Sequence, residues 1–217
     1  MLPAVLSEKP LDFAEQSYMP HLLGVSSHDL AASLMAVAPL RPLLDQRVEE
    51  ILGDPEDLPI GEFSALVELL NADLDALDRI ARIVAVLVHA PSLATTTDGA
   101  ILRLIVAHTG TREIVRCLDD QDSPVFECLP HTVYVTQELL DLYTQQVLRY
   151  MMGLIPPRLM QRVIVRFPEG ALPAPDTLTD RPADRATLLA LVETALALLP
   201  GVTALPTGSE EAGDAAH

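Results

Sequence analysis

Two cysteines and six histidines are the thiol and imidazole groups of this 217-residue chain, and zinc is the metal such ligands favour. Cys117, Cys128 and His131, together with His108, come nearest to a zinc set. Their C-x10-C-x2-H spacing matches no common zinc pattern, and Cys117 falls on the apolar side of a helical stretch beside Ile114 and Leu118. A thiol in that setting acts as a small hydrophobe. Asp119, Asp120 and Asp122 suggest a cation loop but lack the glycine and distal glutamate of an EF-hand. A solvated turn before Pro124 is the simpler expectation. No metal and no cofactor are expected.

Catalytic patterns are equally sparse. The sequence contains no G-x-S-x-G elbow, Walker loop, G-x-G-x-x-G fingerprint or H-E-x-x-H helix. His89 and His108 each sit near a helix end, where a histidine ordinarily caps exposed carbonyls. Tyr143 and Tyr150, with Val147 between them, share one helix face and read as core or groove residues. Met151 and Met152 read as gap-filling core. No catalytic residue is expected, and the chain is expected not to be an enzyme.

The elements that must hold these residues are helical. The composition is 49% hydrophobic and 21% charged, with four Phe, four Tyr and no Trp. A core built from Leu, Ala, Val and Ile favours helix, and so few aromatics leave little for stacking on bases or sugars. Eighteen prolines divide the chain and leave proline-free windows at 60–90, 92–123, 131–155 and 183–199. In the first window, Leu66, Leu69 and Leu70 lead to a break near Asn71. Leu74, Leu77, Ile80, Ala81, Val84, Leu87 and Val88 then form one apolar stripe, with Asp73, Asp75 and Asp78 at the positive end of its dipole and Pro91 as its stop. Leu77, Ile80, Val84 and Leu87, with Leu102, are expected to make the core between the first two long helices.

Thr97 or Asp98 caps the next helix, which ends near Gly110, and Thr111 caps a shorter one. Thr136 opens a helix that runs to the Pro156-Pro157 pair. The β-branched stretch Val163-Ile164-Val165-Arg166-Phe167, bounded by Pro168, predicts a short strand. The expected fold class is therefore mostly α: a single bundle-like domain over 1–206, with at most a short β element near 163–167. Within it lie an N-terminal acidic part at 1–72 and a C-terminal helix at 183–199. Residues 207–217 are expected to form a disordered tail.

Fourteen Lys and Arg face thirty-one Asp and Glu, a net charge of −17. Such a surface repels phosphate backbones and anionic lipid, so nucleic acid is excluded as a partner and basic protein patches are favoured. From Asp45 to Asp78 eleven acids stand against Arg47 alone; from Arg79 to Arg116 five arginines stand against Asp98 and Glu113. The acidic run is either a solvated face or a docking surface for a basic partner, in which case Glu49, Glu50, Asp54, Glu56 and Asp57 would carry the docking. The start, Met1 to Lys9, lacks the pattern of a signal peptide, and the longest apolar run, Ile83 to Val88, is far short of the ~18 residues needed to span a bilayer. A cytoplasmic protein without direct membrane insertion is expected.

Two longer stretches carry a resemblance. One is Leu77-Asp78-Arg79-Ile80-Ala81-Arg82-Ile83-Val84-Ala85-Val86-Leu87-Val88-His89-Ala90-Pro91-Ser92-Leu93, followed by Asp98-Gly99-Ala100-Ile101-Leu102 and Gly110-Thr111-Arg112-Glu113. The other runs from Leu148-Arg149-Tyr150-Met151-Met152-Gly153 through Pro156-Pro157-Arg158 to Arg166-Phe167-Pro168. Together, over roughly 74–170, they resemble the SctK/YscK family, accessory proteins of the sorting platform of bacterial type III secretion systems. The family pattern often has Lys before its last Leu-Pro, where this chain has Arg166-Phe167-Pro168. The resemblance implies a non-enzymatic adaptor, peripheral to the inner membrane through its protein partners. It would link SctQ-like pod proteins to the cytoplasmic domain of an SctD-like ring protein. A helical scaffold or secretion chaperone of another system, or an enzyme using His89, His108 or His131 as a dispersed base, are the alternatives.

Overall fold

A computed structural model describes residues 8–53, 64–93, 98–118, 135–176 and 182–199. The fold is mostly α, with no strand among the described residues. Its centre is α6 (Leu74–Leu87), capped by Asp73, whose side chain accepts a hydrogen bond from the Ala76 amide at 2.8 Å. The expected single stripe holds only for its first turns. From Ile83 to Val88 six successive apolar side chains are all buried, so this end of the helix is covered on every side. Burying each Val, Leu or Ile side chain among them contributes about 1.5–3 kcal/mol.

Four helices supply the cover. The longest, α10 (Gln137–Leu154), packs most extensively on α6, and α12 (Pro182–Leu198), α8 (Gly99–Thr109) and α9 (Ile114–Leu118) add to it. The predicted core residues Leu77, Ile80, Val84 and Leu87 are buried there, but Leu102 is only half-buried. The main partner of α6 is α10 rather than the next helix along the chain. Pro91 does not simply stop α6: it falls inside a further helical turn, α7 (Ala90–Leu93), which packs on α9. The short α5 (Ser64–Asn71) packs on α12.

Caps explain several helix boundaries. Asp98 accepts from the Ala100 amide at 2.8 Å and Thr136 from the Leu139 amide at 3.3 Å. Gly110, in the left-handed region at φ 72°, closes α8 by donating to the Val106 carbonyl.

Residues 163–167 form no strand. Val163 and Ile164 end α11 (Pro157–Ile164), and Val165 caps it in helical conformation. β-Branched residues prefer strand only weakly, and packing overrides that preference here. Leu159, Met160 and Val163 recur at helical spacing and are buried in the main core, and Pro157 occupies the first turn, where its missing N–H costs nothing.

The N-terminal helices build a second, smaller core. These are α1 (Pro10–Phe13), α2 (Met19–Leu23), α3 (His28–Met35) and α4 (Arg41–Leu52). Leu11, Met19, Leu22, Ala31, Val48 and Leu52 meet there, joined by Val165 from the end of α11. The buried Arg162 guanidinium, 2% exposed, reaches the same layer. It donates to the Gly53 carbonyl at 2.9 Å and lies over the Phe13 ring, 5.7 Å from its centre. Arg166 donates to the Leu70 carbonyl, and the Glu15 amide to the Val165 carbonyl. The N-terminal layer as observed thus ends with α4, while α5 belongs to the main core. The 207–217 tail lies outside the described residues.

Gly153 marks one close approach. The Asp176 amide donates to the Arg149 carbonyl at 3.1 Å, which lays residues near 176 across the end of α10. A Cβ at Gly153 would stand 1.9 Å from the Asp176 carbonyl oxygen. Gly to Ala within a helix ordinarily stabilises by about 0.5–1 kcal/mol. Gly153→Ala is expected to do the opposite, lowering stability by about 1–3 kcal/mol through the clash, as read from the denaturant midpoint. A gain in stability would show that this segment does not cross the helix as described.

Candidate functional site

The candidate docking residues divide. Glu49 and Glu50 lie in the last turns of α4, Glu49 half-buried and Glu50 exposed; Asp54, Glu56 and Asp57 lie outside the described residues. With Gln46 and Gly53 the two glutamates line a shallow hollow of about 280 Å³. Gly53 donates to the Glu49 carbonyl at 2.8 Å, and its own carbonyl is held by Arg162. The end of α4 is therefore fixed from below by a buried cation.

Several other acids of the run serve the fold instead. Asp45 is only 5% exposed and faces Lys9 at 3.9 Å. Asp73 is a cap, and Asp78 pairs with Arg82 at 2.7 Å, one helical turn away. Glu50 itself pairs with Arg47 at 3.2 Å in an exposed bridge, worth at most about 1 kcal/mol. The run is thus partly structural and partly solvated.

The feature that sequence reasoning missed is apolar. On the solvent side of α4, Leu43 is 63% and Ile51 42% exposed. Helical spacing puts Leu43, Arg47, Glu50 and Ile51 on one face, and Leu30 and Val37 are also exposed nearby in sequence. Their solvent exposure could not be read from the pattern, because alternating apolar positions in a short helix look the same whether they face a core or water.

The histidines take roles different from capping. His89 is buried against Tyr143, with ring centres 4.5 Å apart and planes tilted by 40°, and burial pushes the Tyr143 hydroxyl up from its usual range. His108 is 4% exposed and belongs to a polar network between α8 and α10. The Thr144 hydroxyl donates to the Leu140 carbonyl at 2.8 Å and so accepts from His108 Nε2 at 3.0 Å. That leaves His108 Nδ1 to accept from the Gln137 side-chain Nε2 at 3.1 Å, and the same nitrogen donates to the Asp141 carboxylate at 2.8 Å. The hydrogen bonds therefore assign the neutral Nε2–H tautomer.

Two further hollows lie elsewhere. A cleft of about 560 Å³ runs between α2, the end of α4 and the end of α11, lined by Ser17, Tyr18, His21, Gln161 and Glu169 around Leu22, Leu52 and the partly exposed Ile51. Burial and the neighbouring Glu169 carboxylate push the Tyr18 hydroxyl up, so it stays protonated and can only donate or accept hydrogen bonds. The other is an open groove between α8 and α9. Of the zinc candidates, Cys117 is half-buried and packs against the main core, His108 is occupied as above, and Cys128 and His131 lie outside the described residues, as do Asp119, Asp120 and Asp122. Among the described residues no group of three His, Cys, Asp or Glu is placed to hold a metal. Among them, too, no helix is long and apolar enough to cross a membrane.

Compared with protein-family models, curated proteins and solved structures, the chain matches none.

The His108 network gives a pH dependence with a definite sign. Burial lowers the imidazole's proton affinity, Arg82 lowers it further, and Asp141 and Asp78 oppose. A histidine that takes up its proton less readily when folded stabilises the fold above its unfolded value of about 6.5 and loses that contribution as pH falls below it. Wild-type stability should therefore fall from pH 7.5 to pH 5 more steeply than that of His108→Gln, which keeps hydrogen-bonding groups but does not titrate. Parallel profiles from denaturant melts would contradict this.

Proposed function

We propose that this chain is a non-enzymatic adaptor of a type III secretion sorting platform, similar to SctK/YscK proteins. It would join an SctQ-like pod protein to the cytoplasmic domain of an SctD-like ring protein, in the cytoplasm and peripheral to the inner membrane. The observation that carries the reading is the outer face of α4. It shows two large apolar side chains, Leu43 and Ile51, to water beside Glu50, on a helix whose end is locked to the body by Arg162. Apolar area on a rigid, charged face is what a protein-docking site requires. The resemblance over 74–170 supplies the system. The rival use of a dispersed histidine base is disfavoured because His89 and His108 are both buried.

The test uses the full chain with a purified SctQ-like pod protein and the cytoplasmic domain of an SctD-like ring protein from the same organism. Both should bind. Leu43→Ser with Ile51→Ser should speed dissociation from one of them, because most interface effects appear in the off-rate. Glu49→Lys with Glu50→Lys should slow association about tenfold at low salt, and added salt should erase the difference. Melting should shift little, since Leu43, Glu50 and Ile51 are exposed and Glu49 is only half-buried. If neither protein binds, the adaptor reading is wrong and a scaffold or chaperone of another system replaces it. If both bind but the variants behave as wild type, docking does not use α4.

A further inference from the structure

The open groove between α8 and α9 joins an apolar floor to exposed arginines. Its floor is apolar, made by the half-buried Leu102 and Val106 of α8 and Val115 of α9, and it encloses about 420 Å³. Arg103 from α8 and Arg112 from the turn before α9 line the same groove, both exposed. Arg116 stands four residues beyond Arg112, also exposed.

The charges of this corner are unspent. Of the five arginines between Arg79 and Arg116, Arg82 is paired with Asp78 and Arg79 is bonded to the Asp75 carbonyl. Among the described residues Arg103, Arg112 and Arg116 take part in no ion pair. In a chain of net charge −17, residues 99–118 carry Arg103, Arg112 and Arg116 against Glu113 alone, a local reversal of sign, and two of these guanidiniums line the apolar floor. Guanidinium is suited to two-pronged recognition of carboxylate.

We propose that this groove docks an acidic amphipathic helix of a partner protein, with its leucine-sized side chains on Leu102, Val106 and Val115 and its carboxylates on Arg103 and Arg112. The eleven residues of α8 rise about 16 Å, room for two to three turns of such a helix. The distant acids of the chain do not forbid this, because at physiological ionic strength charges are screened beyond about 8 Å. The surface is separate from the outer face of α4 and stands whether or not the adaptor reading holds.

The probe is a fluorescein-labelled 16-residue synthetic peptide with leucine at every third or fourth position and glutamate on the flanks. It is titrated with the full chain at physiological ionic strength and followed by anisotropy. Saturable binding is expected, with hydrogen-exchange protection confined to residues 99–118. A peptide with serine for leucine should bind about tenfold more weakly or not at all. Arg103→Glu with Arg112→Glu should weaken binding about tenfold or more, two exposed ion pairs being replaced by repulsions. The same change of net charge made at Arg47 and Arg79 should leave it unaltered. The proposal is overturned if binding is not saturable, if both double variants lose affinity equally, or if the groove variant binds as wild type. It is also overturned if sedimentation shows a dimer of the chain that Arg103→Glu with Arg112→Glu dissolves, since the occupant would then be a second copy.

Discussion

Six consecutive side chains at the end of α6, Ile83 to its capping residue Val88, have no face left for water, and that requirement arranges the main body. An amphipathic helix can lie on a surface, whereas one apolar all round must be enclosed. Enclosure needs partners on several sides, and α8, α9, α10 and α12 provide them from positions far apart in the chain. Several of the polar groups caught in this enclosure are satisfied in place. His108 and Thr144 bond to each other, and the free end of α10 is tied to α12 by Arg185, which donates to the Leu154 carbonyl at 2.8 Å. Leaving such groups unmade would cost about 1–3 kcal/mol each.

The same logic sets how the N-terminal layer is held. Its own core is small, and a guanidinium buried as deeply as Arg162 is tolerated only when its charge and donors are engaged. The Gly53 carbonyl and the Phe13 ring engage it from the N-terminal side. Helix α11 thus faces two ways: Leu159, Met160 and Val163 toward the main core, Arg162 and Val165 toward the first four helices. One consequence is mechanical. The face of α4 that shows Leu43 and Ile51 to solvent is anchored at its C-terminal end rather than free to swing, which reduces the ordering cost of any docking event there.

The starts of α6, α8 and α10 were legible because each had a local chemical cause. Asp73, Asp98 and Thr136 cap as their side chains allow, and the stripe from Leu77 to Leu87 has helical period. What could not be read depended on distant parts of the chain. Val163 to Phe167 has strand-like residues but a helical or turning backbone, because the core beneath it asks for residues at three- and four-residue spacing. Asp45 looked like one more surface acid and is buried beside Lys9. Glu49 and Glu50 were placed in the candidate site by charge alone, whereas the apolar neighbours Leu43 and Ile51 emerged only from the folded surface. The arginine excess after residue 79 was visible as a count. That two of those arginines line an apolar groove required the juxtaposition of α8 and α9.

A rigid centre with differently charged outer faces would suit the adaptor role proposed above, and it rests on α6 being the last element to yield. Native-state hydrogen exchange at increasing denaturant tests that directly. The account predicts that the amides from Ile83 to Val88 exchange only through global unfolding, with the full denaturant dependence of the whole molecule, while amides of α1 to α4 exchange through a smaller opening. Exchange of Ile83 to Val88 through an opening no larger than that of α4 would contradict it.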